Sequence, residues 1–139
     1  MSPVPGDDAQ RAWQILEALV TESRGDWRRK VSEATGMPFS RYRALKRLRT
    51  EPRTLRDLAE EMGADAPATT VLVDDLEARG LVERRPHPED RRAKLVSLTT
   101  AGRRQLAVAE RIVDQPPEAF RALPPKDLAL LRWVLEKMG

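Results

Sequence analysis

At 139 residues, with 40% hydrophobic, 4% aromatic and 34% charged residues, the chain has the size of one globular domain and a densely charged surface. No stretch approaches the roughly 20 apolar residues of a membrane span, and the polar, acidic first ten residues lack the basic start and apolar run of a signal peptide, so a cytoplasmic location is expected. The absence of cysteine and the single histidine, His87, exclude disulfides, thiol redox chemistry and thiolate zinc sites, so no metal or cofactor is expected; a net charge of +3 is too small to name a partner.

Eleven prolines divide the chain into stretches that mostly read as helices. The first is expected over residues 8–36, capped by Asp7 or Asp8. Ala12, Ile15, Leu16, Leu19 and Val20 form one apolar face, and Trp27, Val31 and Ala34 resume the spacing after a candidate break at Gly25-Asp26. The second opens at Pro38, with Phe39, Tyr42, Leu45 and Leu48 inward and Arg41, Arg43, Lys46, Arg47 and Arg49 on the other face. Thr54-Leu55-Arg56-Asp57 is a variant capping box opening a short helix that Gly63 stops. Asp65 caps the next helix, with Pro67 in its first turn; Val71, Val73, Leu76 and Ala78 follow, and Gly80 ends it. Two short helices around Gly63 make a helix-turn-helix over residues 54–79.

The period then changes. Residues 81–85 read as a strand, 86–90 as a loop and 93–98 as a returning strand, so a hairpin over 81–98 follows the helix-turn-helix directly. That order defines a winged helix, with a DNA-binding lobe over 38–98. A further helix starts at Thr100, Pro116-Pro117 interrupt it, and a short turn is expected at Phe120 to Ala122. After Pro124-Pro125 comes a last helix with Leu128, Leu130, Leu131, Trp133, Val134, Leu135 and Met138. A terminal helix apolar over much of its circumference needs a partner. The expected architecture is therefore a single, mainly α domain over 1–139 with a small β-hairpin wing. It would dimerise through residues 8–36 and 100–139, with Ile15, Leu16, Leu19, Leu130, Leu131, Trp133 and Val134 at the interface.

The wing gathers Arg84, Arg85, Arg91, Arg92 and Lys94 against Glu83, Glu89 and Asp90. A hairpin tip is thin enough for a minor groove, whose negative potential attracts arginine. Asp90 is expected to hydrogen-bond Arg92 and aim the tip; whether Arg91 or Arg92 enters the groove is left open. The recognition helix has no Arg, Lys, Asn or Gln from 64 to 78, the side chains that make bidentate base contacts. Its exposed start offers Ala66, Pro67 and Ala68 to thymine methyls and hydroxyls on Thr69 and Thr70, which shifts the expected specificity towards the wing and DNA shape. Arg53, Arg56 and the basic face of residues 41–49 are candidate phosphate contacts or solvated charge.

Several runs carry a family resemblance. They are Leu58-Ala59-Glu60-Glu61-Met62-Gly63, Val71 through Val82, Glu83-Arg84-Arg85, Pro88-Glu89-Asp90-Arg91-Arg92-Ala93 and Val96-Ser97-Leu98-Thr99-Thr100-Ala101-Gly102. Together they resemble the multiple-antibiotic-resistance regulator (MarR) family; the Asp-Arg-Arg wing followed by Leu-Thr-x-x-Gly is the specific part. The resemblance implies a triangular dimer whose first and last helices interlock, two winged-helix lobes, and often a small aromatic ligand that weakens DNA binding. It points to Trp13, Trp27, Phe39 and Tyr42, with Arg24, Arg28 or Arg43 pairing a carboxylate, as an effector site; aromatics at this spacing equally serve as core. The expected function is a sequence-specific transcriptional regulator, a repressor on a pseudo-palindromic double-stranded operator, released by a small aromatic or other organic anion. The rival is a winged helix used for protein–protein contact, which the weak recognition helix favours and the arginine-rich wing opposes. No Gly-rich phosphate loop, Ser/His/Asp set or metal-ligand spacing points to an enzyme.

Overall fold

The computed structural model describes residues 6–139, which divide into two compact units. Helix α1 (Asp7–Thr35) runs unbroken through Gly25-Asp26. The expected break does not occur because one interior glycine costs only about 1 kcal/mol relative to alanine, too little to interrupt a helix hydrogen-bonded on both sides. Residues 27–113 form the larger unit, which holds the last turns of α1, then α2 (Phe39–Arg47), β1 (Arg53–Thr54), α3 (Leu55–Met62), α4 (Ala66–Ala78), β2 (Val82–Pro86), β3 (Lys94–Leu98) and α5 (Thr100–Val113).

Its core forms where these elements turn apolar residues inward at helical or alternate spacing. Val31, Ala44, Leu45, Leu58, Val73, Leu76 and Val96 are all essentially inaccessible to water. The sheet is antiparallel in the order β1-β3-β2. Its register pairs Val82 with Leu98 and Pro86 with Lys94, and Arg53 with Val96. The two-residue strand β1 is an addition to the expected hairpin; it is too short for any alternation to show in sequence. It turns the hairpin into a three-stranded sheet and joins the start of the helix-turn-helix to the wing.

Two local devices fix the helix-turn-helix. The Thr54 side chain accepts the Asp57 N–H, the N-cap half of a capping box, and the Asp65 carboxylate accepts the Ala68 N–H at 2.8 Å. Between them Gly63 takes a left-handed φ of +64°, ending α3 with the Ala64 N–H bonded to the Ala59 carbonyl at 3.0 Å. Of the apolar series in α4, Val71 and Ala78 are exposed. The buried set is Thr69, Leu72, Val73 and Leu76, which follows the i, i+3, i+4, i+7 rule, and Val71 lies on the opposite side.

The wing is anchored to α5 at a close approach. The Thr99 N–H donates to the Leu81 carbonyl and its hydroxyl to the Gly80 carbonyl at 2.6 Å, while Thr99 Oγ1 accepts the Gly102 N–H at 3.0 Å. A Cβ on Gly102 would fall 2.0 Å from the Leu81 carbonyl oxygen, so only glycine fits.

The smaller unit contains the first turns of α1, the four-residue α6 (Glu118–Arg121) and α7 (Pro125–Glu136). None of the residues of α7 is buried: Leu130 is 58% and Trp133 54% exposed, and Val134, Leu135 and Met138 are exposed beside them. Phe120, Leu128, Leu131 and Leu135 line a shallow apolar groove of about 460 Å³. No described helix is long and apolar enough to cross a membrane.

Candidate nucleic-acid interface

The wing tip, residues 87–93, folds on itself. The His87 N–H donates to the Ala93 carbonyl and the Ala93 N–H to the Asp90 carbonyl, each at 3.1 Å. The Glu89 N–H donates to His87 Nδ1 and the Arg92 N–H to Asp90 Oδ1, each at 3.0 Å. Asp90 thus hydrogen-bonds Arg92, as expected, and does so through the Arg92 backbone N–H. Arg91, Arg92 and Lys94 are exposed and make no ion pair among the described residues. Arg85 is exposed and paired with Glu83 at 2.7 Å.

Arg84 behaves differently. Successive strand residues face opposite sides of the sheet, and Arg84 turns towards α4, meeting Asp74 at 2.5 Å and Glu77 at 3.6 Å with a side chain only 20% exposed. It is a tie between strand and recognition helix, not an outward wing cation. Arg53 is similarly engaged, pairing with Glu61 at 2.9 Å and Glu51 at 2.8 Å.

Helix α4 shows outward Ala66, Pro67, Ala68, Thr70 and Val71. Thr69, expected on that surface, is 1% exposed and donates its hydroxyl to the Asp65 carbonyl. Thr70 is outward, yet its hydroxyl donates to the Ala66 carbonyl at 3.0 Å. Val71 is 63% exposed. The spacing of Thr69 and Leu72 with Val73 and Leu76 was the available signal; treating Thr69 as polar and therefore outward obscured it.

The acidic side of α4 is held by arginines. Asp75 accepts from Arg41 Nε at 2.9 Å and Arg79 Nε at 3.1 Å. The Arg41 hydrogen bond holds the Asp75 carboxyl below its ordinary range, with partial burial opposing it and Arg79 adding to the lowering. Arg41, read in sequence as part of a free basic face, is therefore a bolt between α2 and α4. Of that face, Arg43 and Lys46 stay exposed, Arg47 donates to the Arg43 and Glu61 carbonyls, and Arg49 pairs with Glu110 of α5.

Four of the expected effector residues meet within the larger unit. Within the larger unit Trp27 packs on Phe39 with ring centroids 5.4 Å apart, Phe39 on Tyr42 at 5.1 Å, and the Arg28 guanidinium lies 5.2 Å over the Phe39 ring. Tyr42 belongs to the buried core. Trp13 and Arg24 lie in the smaller unit, both exposed. Ile15 of the expected interface is exposed, with Leu16 and Leu19 half-buried. No cluster of three or more metal-ligating side chains occurs among the described residues.

The MarR family model matches residues 35–93, the span from the end of α1 through the wing tip. The chain is 33% identical over 84 residues to the multiple antibiotic resistance protein MarR of Escherichia coli (strain K12), a match covering 59% of this chain and 58% of that protein. It is 36% identical over 78 residues to the uncharacterized HTH-type transcriptional regulator YdgJ of Bacillus subtilis (strain 168), covering 55% of this chain and 48% of YdgJ. The chain thus spans about half the length of the curated relatives it matches. In structure it is similar to a mutant E. coli MarR complexed with operator DNA, with a TM-score of 0.61, 27% identity and coverage of 88% of this chain and 92% of that one. With the helix-turn-helix, the three-stranded wing and the Thr99–Gly102 joint in place, residues 35–93 match the MarR family model and the fold is similar to that of E. coli MarR.

Proposed function

We propose that the protein is a transcriptional regulator, not an enzyme, that binds a pseudo-palindromic double-stranded operator in the cytoplasm as a homodimer and acts as a repressor. The observation carrying this is the helix-turn-helix α3–α4 followed at once by a wing whose ordered tip presents Arg91 and Arg92 without intramolecular ion pairs among the described residues. Such a tip suits a narrow minor groove while α4 lies in the adjacent major groove. The operator complex of E. coli MarR supports the same partner for this chain. Dimerisation is supported by the exposed apolar side chains of α7 and by Trp13, Ile15 and Val20 of α1. Residues 8–36 and 100–139 would form the dimer, and 38–98 the DNA-binding lobe. Release by a small aromatic or other organic anion is the finer part of the proposal; the Arg28 guanidinium over the Phe39 ring, next to Trp27, supports a cation beside an aromatic surface.

The test is a gel shift followed by footprinting on the DNA upstream of the protein's own gene, repeated with a panel of small aromatic acids. Protection of two half-sites about one helical turn apart is expected. Uniform binding, with no protected segment and no advantage over random duplex, would overturn the operator proposal.

A further inference from the structure

We propose that α4 reads DNA through the C5-methyl groups of pyrimidines in the major groove, with Val71 as its principal specificity-determining residue. This rests on the operator-binding proposal above and adds what the helix recognises there. Among base edges in the major groove the pyrimidine C5-methyl is the one apolar feature; the others are hydrogen-bond donors and acceptors. The outward surface of the first turns of α4 matches chiefly the apolar feature. Ala66, Pro67 and Ala68 present carbon. Thr70 commits its hydroxyl hydrogen to the Ala66 carbonyl, leaving its methyl and an oxygen that can only accept, and Thr69 is buried with its hydroxyl on the Asp65 carbonyl. The Asp65 carboxylate caps the helix at the Ala68 N–H, and the Asp74 carboxylate is held by Arg84.

Val71 is the large member of this surface. Its neighbours Leu72 and Val73 are in the core, whereas Val71 leaves 63% of its surface in water in the middle of a well-formed helix. A β-branched side chain has little rotamer freedom in a helix, so this surface is already ordered before DNA arrives. Burying one methyl against it corresponds to about a fourfold change in affinity, from about 0.8 kcal/mol per buried carbon group. The specificity gained per contact is thus smaller than from a bidentate arginine, and several methyls must be read together.

The experiment uses the full-length protein and a duplex enriched by it from a random-sequence pool. Affinity is measured for that duplex and for the same duplex with thymines of the protected half-sites replaced by deoxyuridine, which removes only the methyl. Both are measured with the wild-type protein and with Val71→Ala. Loss of about fourfold per contacted methyl for the wild type, shrinking towards no loss for Val71→Ala, is expected. The paired comparison separates a methyl contact from any change in groove shape, since a shape effect persists in the variant. Arg91→Ala should weaken both duplexes in equal ratio. If deoxyuridine costs nothing, or costs the same in wild type and Val71→Ala, the methyl proposal is overturned while operator binding stands. If no duplex is enriched, both proposals fall together.

Discussion

Replacing Gly102 by alanine should destabilise the protein, although the same change at Gly25 should stabilise it. The added Cβ would sit 2.0 Å from the Leu81 carbonyl oxygen, 3.0 Å from the Leu81 carbonyl carbon and 3.2 Å from a Leu98 methyl. Two of those three atoms are backbone, and that carbonyl also accepts the Thr99 N–H, so it cannot retreat without breaking the joint between wing and α5. Overpacking of this kind costs roughly 3 kcal/mol, the upper end of its usual range. Alanine recovers up to about 1 kcal/mol by its better helix propensity and its narrower unfolded ensemble. The net loss is about 2 kcal/mol, or a fall in Tm of roughly 8 °C at about 4 °C per kcal/mol. Gly25→Ala is the matched control: a Cβ there meets nothing within 4 Å inside α1, so a gain of about 0.5–1 kcal/mol is expected. Both are read by thermal unfolding followed by circular dichroism at one fixed protein concentration, because a dimer's Tm depends on concentration. Equal shifts for the two variants, in either direction, would refute the close-approach argument.

Arg91→Ala and Arg92→Ala should each weaken operator binding by about 1–3 kcal/mol and, where a phosphate contact is lost, flatten the salt dependence by about one unit. Thr70→Ala should matter less, since its hydroxyl already serves the helix; a larger effect of Thr70→Ala than of both arginine variants in salt-varied binding assays would contradict a wing-dominated interface. Leu130→Asp combined with Trp133→Asp should convert a dimer into a monomer in sedimentation velocity at micromolar concentration, and a monomeric wild type would remove the dimer proposal. Asp75→Asn should destabilise at neutral pH. The lowered pKa of Asp75 means that its contribution is complete above the ordinary carboxylate range and is lost as pH falls through the folded-state value. The stability gap between wild type and variant should therefore close in acid, and a gap constant down to strongly acidic pH would show that Asp75 acts through something other than its charge.

Most of the architecture is legible in the sequence because its signals are local. The Thr54 and Asp65 caps, the glycine stops at 63 and 80, and the alternation from 94 to 98 each depend on a few adjacent residues, and each stands where expected. What escaped was set by contacts far along the chain. β1 exists only because Arg53 and Thr54 find β3, more than forty residues later. Arg84 reads as a wing cation until Asp74 and Glu77 are seen beneath it, and Arg41 as a free charge until Asp75 is seen beside it. Thr69 reads as outward when polarity is weighed above spacing, yet a buried threonine is inexpensive when its hydroxyl has a carbonyl four residues back. The effector residues rest on resemblance; within the larger unit, ring and cation–π contacts join Trp27, Arg28, Phe39 and Tyr42.

The self-bonded wing tip bears on the entropy of binding. Ordering a free loop costs about 1–2 kcal/mol per residue in backbone freedom, so a floppy seven-residue tip would forfeit much of what two arginines can supply. Here the bonds among His87, Glu89, Asp90, Arg92 and Ala93 settle that term during folding. Docking would then immobilise little more than two guanidinium side chains, each about 0.5–1.5 kcal/mol. Asp90 thereby acquires a role without touching DNA: loosening it would leave encounter rates largely intact, since the charges remain, and would show itself as faster dissociation.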